Sequence, residues 1–441
     1  MSTLWLGLKA AALDEILKRP AWRRFRKIGA PETWRVVDTP DQQHRGAPLL
    51  VSPRQTVAAG LMPLFDLTRT RWHDGPLLLE HVFWQFPDGR TDAAARLRVP
   101  VGAIEARWDV EALHGEARRA DPIPLPDFDP VAEGYRRLGG DPLPKPEKLR
   151  LTPDMTAGRV LAAILDTVIE ALLLHLPAVA WQQETVAIHQ ARVALRRLRA
   201  ALPLFGAGVG APERAEDLRR RAGDLARRLG GVRDLDVFRA ETLVRAERDF
   251  PLEPGWANLA AVATARRAHE AGLLGGTITN WETTAFLLDA LRWRDEAAAM
   301  LPSGPAATEV ARTLLTDRWR RVSRQGNRLD RIDVPGLHDM RIKVKKLRYL
   351  IDFTKTLFEE KQVLAWENHL GALQDALGTL NDGVTARGLI HGMMPTLEKD
   401  GAFAAGLLIA WSDGRTLRHR NRIGKLWAEV ADLPLFWEAS T

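Results

Sequence analysis

His189-Gln-Ala-Arg192-Val-Ala-Leu-Arg196-Arg197-Leu198-Arg199 and His338-Asp-Met-Arg341-Ile-Lys-Val-Lys345-Lys346-Leu347-Arg348 are the stretches on which the fold turns. Each opens on a histidine and places basic residues three, seven, eight and ten positions later, and the second follows the first by 149 residues. Further on, Leu229-Gly230-Gly231-Val232-Arg233-Asp234 is matched by Leu377-Gly378-Thr379-Leu380-Asn381-Asp382 at an offset of 148. Two ordered matches at nearly one offset point to an internal duplication.

On a helix of 3.6 residues per turn, positions 0, 3, 7 and 10 fall within an arc of roughly 80°. His189, Arg192, Arg196 and Arg199 form one such stripe, and His338, Arg341, Lys345 and Arg348 another, with Arg197 and Lys346 on their shoulders. The other side of each helix carries Val193, Ala194, Leu195 and Leu198, or Ile342, Val344 and Leu347, so each has a face to bury and a cationic face to present. Like charges at i and i+4 cost a few tenths of a kcal/mol per pair. Neither stripe holds a carboxylate, so compensation has to come from outside the helix. A solvated face, or acidic residues on neighbouring helices, would supply it blandly. A phosphate chain would supply it with function, because guanidinium groups pair bidentately with phosphate oxygens and lysine acts as a point charge. The histidines read equally as ligand contacts or as interhelical hydrogen-bond partners.

Other basic positions extend the candidate surface: Arg219 and Arg228 in the next helical region, and Arg418 and Arg422 near the C-terminus. Arg219, Arg220 and Arg221 cannot all point one way, so some of them are surface charges. Arg233-Asp234-Leu-Asp236 reads as a local ion pair with a helix cap.

The chain of 441 residues, 46% hydrophobic and 27% charged, is long enough for two or three domains. A net charge of +7 and a pI near 9.8 favour an acidic partner. With no cysteine, disulfides and thiolate metal sites are excluded. Met1 to Lys18 lacks the pattern of a signal peptide, and the apolar stretch Leu161 to Trp181 is interrupted by Asp166, Glu170, His175 and Pro177. The expectation is a cytoplasmic protein with no membrane span. Before residue 150, strand-like runs (Trp34 to Val37, Leu49 to Val51, Leu64 to Thr68, Leu77 to Phe86) alternate with turn signals at Thr39-Pro40-Asp41, Arg45-Gly46, Asp74-Gly75-Pro76 and Pro87-Asp88-Gly89. Asp121 to Pro153, with many prolines and Gly139-Gly140, reads as a linker, and Leu301 to Pro305 splits the helical remainder. The expected domains are residues 1–150, 154–300 and 306–435.

The segment His189 to Phe205 resembles the first signature of CHAD domains, a family of histidine-containing α-helical domains. Leu225 to Phe238, His338 to Tyr349 and Leu370 to Asp382 resemble the elements that follow it in order, so the resemblance spans roughly residues 154 to 430. It implies two pseudo-symmetric helical bundles whose basic residues bind inorganic polyphosphate, and an association with polyphosphate granules. The N-terminal region resembles the tunnel-type β domain of the CYTH family, through Trp34-Arg-Val-Val-Asp-Thr-Pro-Asp and Glu133-Gly134-Tyr135-Arg136. That family's Glu-x-Glu-x-Lys metal motif meets Trp5-Leu6-Gly7-Leu8-Lys9 here, and its later acidic strand meets Glu80-His-Val-Phe-Trp-Gln-Phe. Mg²⁺-assisted hydrolysis needs oxygen ligands. Trp5, Trp34, Trp72, Trp84 and Trp108 point instead to a packing or interaction module.

The expectation is an α+β multidomain chain: a mostly β, degenerate CYTH-like domain followed by an all-α CHAD domain. It binds polyphosphate without catalysis, cofactor or metal. Two alternatives stand beside it: a scaffold for nucleic acid or an acidic protein, and a CYTH-type inorganic triphosphatase.

Overall fold

The computed structural model describes residues 3–38, 49–52, 62–101, 110–126, 129–130, 133, 137, 146–206, 209–300, 304–329 and 331–438. The turns read at Thr39-Pro40-Asp41 and Arg45-Gly46, along with Gly139-Gly140, Trp108, Gly134 to Arg136 and residues 301–303, lie outside them. The chain divides into two compact units, one of residues 1–147, 169–187 and 275–295, the other of 148–168, 188–274 and 296–441. An antiparallel sheet region is followed by helices to the C-terminus, the α+β arrangement expected.

The first unit is built on β1 (Thr3–Leu8), β2 (Arg26–Lys27), β3 (Glu32–Asp38), β4 (Leu49–Val51), β5 (Met62–Asp74), β6 (Leu77–Gln85), β7 (Thr91–Pro100) and β8 (Ile123–Leu125), with short helices α1 (Leu13–Ile16) and α2 (Val110–Glu116). The strand order is β4-β3-β5-β6-β7-β1-β8, with β2 on β5, and the pairings are antiparallel. Gly75-Pro76 closes the β5–β6 hairpin and Pro87-Asp88-Gly89 the β6–β7 hairpin, where the sequence places turns. Alternation on β6 buries Val82 and Trp84 against Val36, Phe65, Leu67 and Phe86. Trp84 Nε1 donates to the Pro130 carbonyl at 2.9 Å, so its polar edge is satisfied inside.

Polar groups on this sheet are committed to one another. Arg96 stands opposite Glu80 in register, and the two form a buried ion pair at 2.6 Å. The Arg96 guanidinium also lies 4.0 Å from the Trp5 ring centre, and Arg69 reaches Glu80 at 3.6 Å. Lys9 pairs with Asp121.

The helices are α3 (Ala157–Gln182), α4 (Thr185–Phe205), α5 (Pro212–Val237), α6 (Val244–Asp249, after a π-helical turn Phe238–Leu243), α7 (Trp256–Ile278), α8 (Trp281–Ala299), α9 (Ala307–Gly326), α10 (Val334–Thr354), α11 (Glu360–Met393) and α12 (Lys399–Ala431). Within the second unit α9 packs on α10, α10 on α11 and α11 on α12. Among the described residues α3 alone is long and apolar enough to cross a membrane, and 61% of its most apolar window is buried in protein. The two stripe helices bury what their periodicity demands: Ile188, Ala191, Leu195, Leu198 and Leu202 on α4, and Met340, Val344, Leu347 and Ile351 on α10. The start of α10 is fixed by Asp333, whose carboxylate accepts from Gly336 N at 2.9 Å, and by Pro335 in the first turn.

Candidate anion-binding site

The two stripes come from elements 149 residues apart in sequence, and the fold brings their cations together. Arg196 Nε on α4 donates to the Tyr349 hydroxyl on α10 at 3.2 Å. Lys345 lies over the Tyr349 ring, with its ammonium 6.0 Å from the ring centre. Arg196, Arg341, Arg192 and Arg199 all act electrostatically on Lys345.

The helix α5 supports this cluster from the α4 side. Arg192 Nη1 donates to the Ala226 carbonyl at 2.8 Å, and its Nη2 stands 3.7 Å from Asp234. That reach needs a gap in α5. A Cβ on Gly230 would lie 2.4 Å from Arg192 Nη1, and one on Gly223 would lie 3.4 Å from Arg199 Nε. Two arginines seven apart on α4 thus cross two glycines seven apart on α5, in antiparallel order. This explains why a glycine sits in the middle of a helix, where it costs about 1 kcal/mol relative to alanine.

Gly230→Ala therefore separates anchoring from stability. The added helix propensity, about 1 kcal/mol, offsets the loss of one hydrogen bond of similar worth. The expected melting temperature stays within about 3 °C of wild type. Titration with long-chain polyphosphate is expected to show about fivefold weaker binding, one charge-assisted contact being misplaced.

Charge accumulates here without full compensation. Among the described residues Arg196, Arg199, Arg341, Lys345 and Arg348 have no carboxylate within ion-pair distance, and Asp234 is the acid that approaches the cluster. Burial first, and then those four arginines, push the Lys345 ammonium down to about 8. Burial, and then Arg233, Arg196 and Arg192, push the His189 imidazole below its ordinary range, so it is mainly neutral at pH 7. Burial raises the Asp234 carboxyl, against the pull of Arg192, Arg233 and Arg196. Arg192 Nε and Arg341 Nε are buried without an acceptor. The site is a partly dehydrated cationic surface, in which an entering anion favours the charged forms of His189 and Lys345.

Not every residue singled out by spacing belongs to this cluster. Arg197 is drawn off it by Asp352, at 3.0 Å, and its guanidinium packs 5.4 Å from the Phe353 ring centre. Arg219 forms an i,i+3 pair with Glu216 at 2.5 Å. His338, Arg228 and Arg422 are exposed, and Lys346 faces a different cleft, between α9 and α10. Arg418 lies in α12, with its side chain outside the described residues. Asp234 and Asp236 do not cap a helix, because α5 continues to Val237; Asp236 instead pairs with Arg267 of α7 at 3.0 Å. The spacing argument missed Tyr349, which lies four residues beyond Lys345 on the same face, and Arg233, which acts on His189 and Asp234. The signal for Tyr349 was the same i+4 rule that found the arginines.

Residues 163–391 match the family model described as the CHAD domain. Among solved structures the chain is similar to the crystal structure of the CHAD domain from the plant Ricinus communis, at 25% identity and a TM-score of 0.60, covering 67% of this chain and 98% of that one. It also matches PptA from Streptomyces chartreusis at 17% identity and a TM-score of 0.49, covering 62% of this chain and 100% of that one. Among curated proteins none matches. With four ordered helical motifs in place and a family model covering more than half of its length, this chain belongs to the CHAD family.

Proposed function

We propose that the helical unit binds inorganic polyphosphate, without catalysis, on the surface where the two stripes meet, and so associates with polyphosphate granules. The observation that carries this reading is the convergence of Arg192, Arg196, Arg199, Arg341 and Lys345, with Asp234 the one acid that approaches them among the described residues. A protein needing only a stable helix pair would place glutamates among these cations. A linear chain with a charge on every phosphate supplies distributed negative charge along a stripe, and the CHAD family is one associated with polyphosphate binding. On the N-terminal sheet, the pairing of Glu80 with Arg96 and of Lys9 with Asp121 supports a packing module, because the groups a CYTH-type metal site would use are engaged elsewhere.

The test is a titration of the intact protein with long-chain polyphosphate across a salt series, with duplex DNA as competitor. About five engaged cations predict a log–log slope near −3.5 to −4.5, taking about 0.7–0.9 released counterions per contact. Polyphosphate is expected to displace DNA at equal phosphate concentration. Absence of binding at 50 mM salt, or DNA winning the competition, sinks the proposal in favour of an acidic-protein scaffold or a nucleic-acid binder respectively.

A further inference from the structure

The helix α10 carries a second basic face. Helical geometry sets Asp339, Ile342, Lys343 and Lys346 about 140° around the axis from the stripe of Arg341, Lys345 and Arg348. Opposite them α9 presents Arg318 and Arg321, and the six side chains line a small open cleft of about 110 Å³.

Its charges do not balance. Asp339 is taken by Lys343 at 2.7 Å, and Lys343 is held further by Gln325 Oε1 at 2.7 Å. Among the described residues Arg318, Arg321 and Lys346 then have no ion-pair partner. Arg318 is half-buried, and burial and then Arg321 push it below its ordinary range, so the molecule bears a standing cost for holding these cations together. Ordinary helix packing does not require it. At the offset of 149 the first copy has Ile169, Leu172 and Ala194 where the second has Arg318, Arg321 and Lys343, and Ile169 and Leu172 are buried. The duplication keeps the stripes and the pair Arg197 and Lys346 alike, and adds Arg318, Arg321 and Lys343 in the second copy alone.

We infer that the α9–α10 cleft is a second anion site that takes a compact, doubly charged phosphoryl group, either free phosphate or the terminal group of a chain. Arg318, Arg321 and Lys346 supply the charge, and Lys343 is fixed by Asp339 and Gln325 at the wall. The space suits a tetrahedral oxyanion: a cavity of about 150 Å³ holds a benzene ring, and this one is smaller. The cleft's occupancy does not depend on whether the stripes bind polyphosphate.

The experiment removes the stripes first. In full-length Arg196→Gln/Arg341→Gln/Lys345→Gln protein, inorganic phosphate and tripolyphosphate are titrated separately by calorimetry at 0.15 M salt. One saturable site is expected. Saturation by phosphate alone assigns the free anion, and saturation by tripolyphosphate with phosphate silent assigns a chain end. Adding Arg318→Gln/Arg321→Gln is expected to weaken that site at least tenfold. Ile342→Asp, at an exposed position on the cleft wall, is expected to weaken it at least fivefold without removing any buried contact. Circular dichroism and melting curves check that each variant is folded. No binding of either anion in the stripe-free protein, or equal binding after both cleft changes, overturns the inference. Failure of the stripe proposal would show differently, as undiminished long-chain binding in the stripe-free protein.

Discussion

Replacing Arg196, Arg341 and Lys345 by glutamine lowers affinity for long-chain polyphosphate about a thousandfold and raises the melting temperature of the ligand-free protein. Both outcomes have one cause. Each lost charge-assisted contact is worth roughly 1.5–3 kcal/mol, and three together remove about 4–5 kcal/mol even at the low end. Without ligand the same three charges repel one another in a partly dehydrated site. The sign can be followed through Lys345. Its folded ammonium releases a proton near 8, against an ordinary value of 10.5. Between those values the unfolded chain binds more protons, so ligand-free stability rises with pH across that window. Below pH 8 both states are charged and Lys345 destabilises the fold by about 1–3 kcal/mol. In the triple variant this rise is absent, and at pH 7 its melting temperature exceeds wild type by several degrees. Bound polyphosphate reverses the effect, so wild-type affinity falls as pH rises past 8. A variant that melts lower than wild type would show that these cations stabilise the fold and are not held for a ligand.

Much of this site could be read from spacing, because a helical stripe is a property of one segment. Arg192, Arg196 and Arg199 were on one side of α4 whatever α4 packed against. What spacing could not give was which helix lay opposite. Arg197, one residue from the stripe, belongs to Asp352 because α10 lies on that side. Lys346 points at α9 for the same reason. The duplicated Leu-Gly-Gly motif was visible as a match, and its purpose emerges when Arg192 is seen crossing Gly230. In the sheet, runs of branched and aromatic residues found β5 and β6, although β5 extends from Met62 to Asp74, well past the run Leu64 to Thr68. The strand β7, with Ala93-Ala94-Ala95 and Arg96, gave no such signal. Its extended form is imposed by pairing with β6 on one side and β1 on the other.

Gly326→Ala destabilises the second unit by about 3 kcal/mol, the upper end of what overpacking costs. A Cβ at this last residue of α9 would fall 2.2 to 2.5 Å from ring atoms of Trp427, closer than any real contact. The indole has nowhere to retreat. It stacks on Trp319 with ring centres 5.6 Å apart, Trp319 meets Trp366 edge-on at 5.0 Å, and Trp366 meets Trp437 at 4.9 Å. Trp366 Nε1 is tied to the Pro434 carbonyl at 2.8 Å, which holds the C-terminal turn against the cluster. One added methyl group must then displace α9 from α12 or break the stack. The neighbouring Gln325 donates to the Gly336 carbonyl and accepts from Lys343, so a shifted α9 end loosens its hold on the first turn of α10. Gly388→Ala on α11 is the matched control: nothing lies within 4 Å of its Cβ position, and it is expected to gain up to about 1 kcal/mol. Thermal melting of the two proteins side by side reads the difference. At temperatures where Gly326→Ala stays folded its polyphosphate affinity is expected within threefold of wild type, because the aromatic cluster supports the stripe helix and touches no anion. Equal melting of both variants would mean that Trp427 can move, and that the C-terminal turn is held by something other than this stack.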